Sequence, residues 1–176
     1  MFFLAGISIT FFLVIILLTK KGKSSADYIL AIWLALIGIH LWLYYGFISG
    51  TIYNYPYLLG VVIPMPLLHG PMLYLYILTV TSQNGFNQKN LLHLIPPAIV
   101  YLSMARFFLM SNDEKIQVYK NEGAGFETQS FITLIAIIIS GFVYVFLSFR
   151  HLQKYKKRIN EQFSKSKGLF FLFCRG

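Results

Sequence analysis

The sequence predicts an all-α protein: a polytopic transmembrane bundle of five helices, N-terminus outside and C-terminus cytoplasmic. Composition, five long apolar runs and the placement of basic residues predict it. Of the 176 residues, 57% are hydrophobic and 12% charged, where a globular domain has about 45–50% and about 25%. So few charges cannot clothe a water-facing exterior of this length. Hydrocarbon, which accepts apolar side chains and rejects charge, removes the difficulty.

The apolar runs cover residues 2–18, 28–47, 57–81, 91–110 and 131–149, which make up a membrane region at 1–149. A helix needs about 20 residues, range about 17–25, to cross a ~30 Å hydrocarbon layer at 1.5 Å per residue. Strands fit poorly, because the runs are long and do not alternate polar with apolar residues. The first run has nothing basic before it and ends at Lys20-Lys21-Gly22-Lys23. A secretory signal has the reverse order, so this run reads as a retained helix whose C-terminal end is cytoplasmic.

That assignment is checked by every later loop. With Lys20, Lys21 and Lys23 inside, residues 50–56 lie outside and carry no charge. Residues 82–90 lie inside with Lys89, and 111–129 lie outside with four acids and two lysines. From Arg150 the chain is inside again, giving twelve basic residues inside and two outside, with Arg106 near the outer end of its helix. The positive-inside rule selects this topology over its inverse. It implies a multi-pass membrane protein. Ser24 and Ser25 offer an N-cap to the second helix, and Asp27 suits the positive end of its dipole. Tyr44, Tyr45, Tyr53, Tyr55 and Tyr57 form an outer aromatic belt, and Arg106 is placed to snorkel.

The third run holds the most unusual chemistry. Pro64, Pro66 and Pro71 remove three backbone donors within eight residues, flanking His69 and Gly70 and followed by Tyr74. A regular helix there is disfavoured, and the segment is expected to be kinked or unwound and packed inside the bundle. Such a kink serves either as a ligand-responsive switch or as permanent packing. Pro64, Pro66, His69, Gly70, Pro71 and Tyr74 are the ligand or switch candidates. His40, His69 and His93 fall in apolar runs without HxH or HxxxH spacing and at different depths, so no metal site and no cofactor is predicted. Neutral histidines bonded to carbonyls or hydroxyls are the plainer expectation. No phosphate loop, nucleophile motif or intramembrane carboxylate pair is present, and no catalytic residue is assigned. The lone Cys174 excludes an intrachain disulfide.

Residues 150–164 form a polybasic juxtamembrane segment. Arg150, Lys154, Lys156, Lys157 and Arg158 are expected to contact anionic lipid headgroups, each worth about 1 kcal/mol near the surface. Being pinned at the bilayer, the segment is not expected to contact nucleic acid.

Several stretches together resemble a known family. They are Asp27-Tyr28-Ile29-Leu30-Ala31, Leu36-Ile37-Gly38-Ile39-His40-Leu41, residues 63–76, Leu91-Leu92-His93-Leu94-Ile95-Pro96 and Tyr119-Lys120-Asn121-Glu122-Gly123. They are similar to the N-terminal membrane half of membrane-anchored AraC-type helix-turn-helix regulators of Bacteroidetes-like bacteria. Pro66-Leu67-Leu68-His69-Gly70-Pro71 is the most specific element, and the resemblance covers roughly residues 5–164. It implies a bundle of about seven transmembrane helices ahead of a cytoplasmic domain of two helix-turn-helix units. It also implies a location in a bacterial inner (cytoplasmic) membrane, an unidentified small-molecule or lipid ligand and, from paired DNA half-sites, a homodimer. Family members continue past Gln162-Phe163-Ser164 into further helices, whereas residues 165–176 depart from that pattern. The ending reads as a frameshift or premature stop, with a genuine short protein as the alternative. The expected function is a signal-input module lacking its DNA-binding domain. Alternatives are a fragment of a transporter or intramembrane metal enzyme, in which the three histidines would converge, and a non-functional truncated product.

Overall fold

The computed structural model describes residues 2–82 and 86–173, with side chains as far as Glu161. Cys174 and Arg175 of the predicted tail lie outside the described residues. Among the described residues seven α-helices form: α1 (Phe2–Thr19), α2 (Ser25–Ile48), α3 (Pro66–Val80), α4 (Ile95–Ser103), α5 (Ala105–Phe108), α6 (Asn112–Lys120) and α7 (Glu127–Phe173). No strand occurs among the described residues. Among the described residues, three helices are long and apolar enough to cross a membrane: α1, α2 and the Glu127–Glu161 part of α7. They expose large apolar side chains, with Phe12 62% and Phe142 77% accessible. In water that surface would drive association, whereas lipid solvates it.

The other two apolar runs depart from single long helices. Residues 58–68 run through successive i→i+3 hydrogen bonds, among them Ile63 N–H to Gly60 O and Met65 N–H to Val62 O. Only from Pro66 does α3 become regular, over 15 residues. Pro66 stands in the first helical turn, where a missing N–H costs nothing. Pro71 lies inside α3 and withholds the N–H that would reach Leu67 O. The fourth run opens as a 3-10 helix, Gln88–Leu94, and becomes α4 at Ile95-Pro96-Pro97. It breaks again at Met104, where no proline or glycine marks the interruption.

α1 and α2 are antiparallel. Phe3 rings meet Tyr44 and Tyr45, and Gly6 lies against Leu41. Gly38 lies against Thr10 so closely that a Cβ would come within 2.8 Å of its hydroxyl oxygen. Small residues let membrane helices approach in this way. At the turn Ser24 and Asp27 form a reciprocal capping box, and Lys20 bonds the same carboxylate at 2.9 Å. α3 runs antiparallel to α2 and parallel to α7. Gly70 faces Tyr144, and Thr81 at the end of α3 bonds His151 at 2.8 Å. Phe86 packs on Ile29, Met72 and Leu75. The loops carrying Lys20–23 and Lys89 and the basic stretch of α7 therefore sit at one end of the bundle. The C-terminus of α2, residues 50–60 and α6 sit at the other, joined by the Phe47–Tyr119 ring contact and a 2.8 Å bond from Gly60 N–H to Tyr119 Oη.

α6 is held by its own capping box. Ser111 and Glu114 cap each other's backbone, with Ser111 Oγ donating to Glu114 Oε2 at 2.7 Å. These bonds, the hydroxyl first, hold the Glu114 carboxyl below its ordinary value of 4.5. A depressed carboxylate contributes stability above the unfolded value and loses it as pH falls through the folded one. Amide protection factors in residues 112–120, taken relative to the intrinsic exchange rate at each pH, are therefore expected to be steady above pH ~5 and to fall below ~4.5. The Glu114→Gln variant is expected to lose that pH dependence; an unchanged profile would contradict the assignment.

Candidate functional site

α3 is the hub of the polar chemistry, and it presents different residues to different neighbours. Towards α2, His69 meets two partners. Trp33 Nε1 lies 3.4 Å from His69 Nδ1, and His69 Nε2 lies 2.9 Å from His40 Nδ1, with the two imidazoles stacked at 5.2 Å. The proton positions follow. An indole nitrogen only donates, so His69 Nδ1 accepts and its proton is on Nε2. That N–H donates to His40 Nδ1, which leaves the His40 proton on Nε2. The chain Trp33→His69→His40 is complete with both rings neutral. An added proton turns one acceptor into a donor and breaks a bond, so the two bonds together require both rings to be neutral.

Towards α7, Gly70 and Tyr74 take over. A Cβ on Gly70 would lie 3.0 Å from Tyr144 Cδ2, so glycine permits the close approach. Tyr74 packs edge-on to His93 at 4.9 Å and lies 6.1 Å from the Tyr144 ring. Tyr144 Oη donates to His93 O at 3.0 Å. Ser148, one turn along the same face of α7, is buried, and its hydroxyl has no partner among the described residues. A buried unpaired hydroxyl costs about 1–3 kcal/mol. Ser148→Ala is accordingly expected to stabilise the bundle by about 1 kcal/mol in detergent unfolding; a loss of stability would reveal a partner.

The structure thus divides the sequence-derived candidates. Pro64 and Pro71 are fully buried and Pro66 half-buried. His69 pairs with His40, while His93 is drawn to Tyr74 and Tyr144 instead. Among the described residues, no group of three or more His, Cys, Asp or Glu gathers to hold a metal ion. Arg150, Lys154, Lys156, Lys157 and Arg158 are all exposed on α7. Arg150 lies over Phe146 and Arg158 over Tyr155, at 5.6 and 6.0 Å. Trp33 and His151 were not candidates from sequence: an indole in an apolar run reads as packing, and His151 reads as part of the basic stretch.

A cavity of about 340 Å³ opens at the α6 end of the bundle. Val62 and Ile63, immediately before Pro64, form part of its lining. Tyr44, Phe47, Phe107, Tyr119 and Phe126 supply aromatic walls, with Glu122, Gln129, Ser130 and Thr133 as polar groups. Burial pushes the Tyr119 phenol up, so it remains protonated while accepting from Gly60 N–H. The site therefore connects a chamber, an unwound proline segment and the hydrogen-bonded helix α3. Comparison with protein-family models, with curated proteins and with solved structures finds no match for this chain.

Proposed function

We propose that the chain is the signal-input module of a membrane-anchored regulator: five membrane-crossing segments that convert ligand binding at the outer face into a shift of α3 and α7. The observation that carries this reading is continuity. Val62 and Ile63 line the cavity in a run of i→i+3 turns, regular helix begins only at Pro66, and His69 and Gly70 then grip α2 and α7. A ligand acts on such an element only through unequal affinity for its two arrangements. A segment without continuous i→i+4 bonds can change arrangement without breaking a helix.

The grouping of the basic loops at one end agrees with a cytoplasmic face there under the positive-inside rule. α3 with its preceding turns, and the segment from Gln88 through α5, supply the two crossings besides α1, α2 and α7. α7 leads the signal inward, since it continues without interruption past Arg150. The resemblance to AraC-type regulators supplies the class of output, a DNA-binding domain on the cytoplasmic side, and an inner-membrane location. The transporter or metal-enzyme alternative requires three histidines at one point, whereas two meet.

The test joins the chain at Glu161 to a DNA-binding domain of known operator and scores transcription across external media. Output is expected to change about five-fold or more in at least one condition, the lower range of allosteric coupling. Constant output in every condition would overturn the reading.

A further inference from the structure

The aromatic cavity has a chemistry of its own. Phe47 meets Tyr119 edge-on at 5.8 Å, Phe107 meets Phe126 edge-on at 5.4 Å, and Phe107 and Tyr119 lie 5.9 Å apart. Tyr44 completes the lining. Ring faces carry negative potential and attract cations, best where water is excluded. The polar lining has the same sense. Gln129 Nε2 is engaged by Ser103 Oγ at 2.7 Å, which leaves the amide oxygen available. Thr133 Oγ1 donates to Gln129 O at 2.8 Å and is left with lone pairs. Glu122 brings a carboxylate with no recorded ion pair among the described residues. Its φ of 54° is the left-handed conformation that side-chain-bearing residues rarely adopt. The lining thus offers acceptors and π faces, with the Tyr119 and Ser130 hydroxyls among the side chains that can also donate. Arg106 stacks on Phe126 at 5.6 Å but is exposed and does not line the cavity.

We infer that this cavity binds an organic ammonium group with apolar substituents, the rings surrounding the cation and Glu122 neutralising it. An anion would meet a carboxylate and ring faces, and a neutral apolar ligand would leave the acceptors unpaired. The volume stands at the lower end of the ~300–1,000 Å³ typical of small-molecule sites. The ammonium is either a free amine or a lipid headgroup. This inference rests on the input-module reading for its consequence, but its test measures binding alone.

The experiment uses the full chain in neutral maltoside micelles, with benzyltrimethylammonium followed by saturation-transfer NMR and phenylacetate as the anionic control. Saturable binding is expected, about tenfold tighter than phenylacetate and weakened about tenfold by Glu122→Gln and by Phe126→Leu. The Phe126→Leu change keeps apolar volume while removing a π face, and Glu122 is exposed, so both variants are expected to fold. Repetition in phosphatidylcholine nanodiscs identifies the source. Loss of the probe's binding there assigns the site to a lipid headgroup, and retention assigns it to a free amine. No saturable binding in micelles, equal binding of phenylacetate, or indifference to both substitutions would overturn the inference. A silent transcription reporter beside intact cation binding would count against the input-module reading alone.

Discussion

Replacing Gly60 with alanine is expected to destabilise the protein by about 2–5 kcal/mol, the largest single-site effect at the cavity end. Two costs combine. Gly60 has φ of +84°, a left-handed conformation costing roughly 1–2 kcal/mol for an L side chain. A Cβ would also fall 2.5 Å from Phe107 Cε1 and 2.8 Å from Cδ1. Phe107 is 3% exposed and packed against Phe108, Tyr119 and Phe126, so its ring moves only by giving up those contacts or by filling part of the cavity it lines. Overpacking of this kind costs about 1–3 kcal/mol. The displaced backbone would also strain the Gly60 N–H to Tyr119 bond that ties α6 to the proline segment. Gly50 is the control, with φ of +74° and nothing within 4 Å of its missing Cβ. Gly50→Ala should lose only the backbone part, about 1–2 kcal/mol. Denaturation of both variants in one detergent checks the difference; equal losses would place the penalty in φ alone.

His69→Ala is expected to cost about 2–3 kcal/mol and to remove condition-dependent output from the reporter fusion. Each interhelical hydrogen bond in a membrane averages about 0.6 kcal/mol, up to about 1.7. Deleting the imidazole also leaves Trp33 Nε1–H and His40 Nδ1 without their partner in a half-buried site. Trp33→Phe removes the N–H together with part of the indole ring, so about 1 kcal/mol of its cost belongs to the bond and the remainder to packing. In a double-mutant cycle, the hydrogen-bond part of the Trp33→Phe loss should vanish once His69 is alanine, leaving only the packing part. Additive losses would show that the two side chains act independently and that the relay is not a unit.

The elements most legible in the sequence were those decided locally. α1, α2 and the first part of α7 are read directly from apolar runs, and the N-cap of α2 from Ser24 and Asp27. The prolines foretold irregular backbone through residues 64–71, and this holds only up to Pro66: Pro66 opens α3 at a position that needs no N–H, and Pro71 is carried inside the regular helix. The short, broken form of the fourth run was less accessible: Pro96 and Pro97 explain where α4 begins, but Met104 carries no local breaker. The α6 helix was read as loop although Ser111 and Glu114 have capping-box spacing, because its nine residues are short and charged.

The site divided along the same line. His69 and the prolines stood out as intramembrane oddities. Their partners did not, because the His40–His69 pair spans 29 residues and depends on how α2 crosses α3. Periodicity within either run carries no record of that crossing. The cavity was invisible for the same reason, its walls coming from α2, the proline segment, α5, α6 and α7.

The central claim, that the cavity end faces outward and the polybasic end faces the cytoplasm, is tested most directly by cysteine accessibility. In a Cys174→Ser background, Ala124→Cys beside the cavity and Gln153→Cys in the basic stretch are introduced singly; both positions are exposed. A membrane-impermeant maleimide is predicted to label the Ala124→Cys protein in intact cells and the Gln153→Cys protein only after permeabilisation. Labelling of both from the same side, or of the Gln153→Cys protein alone in intact cells, would contradict the account.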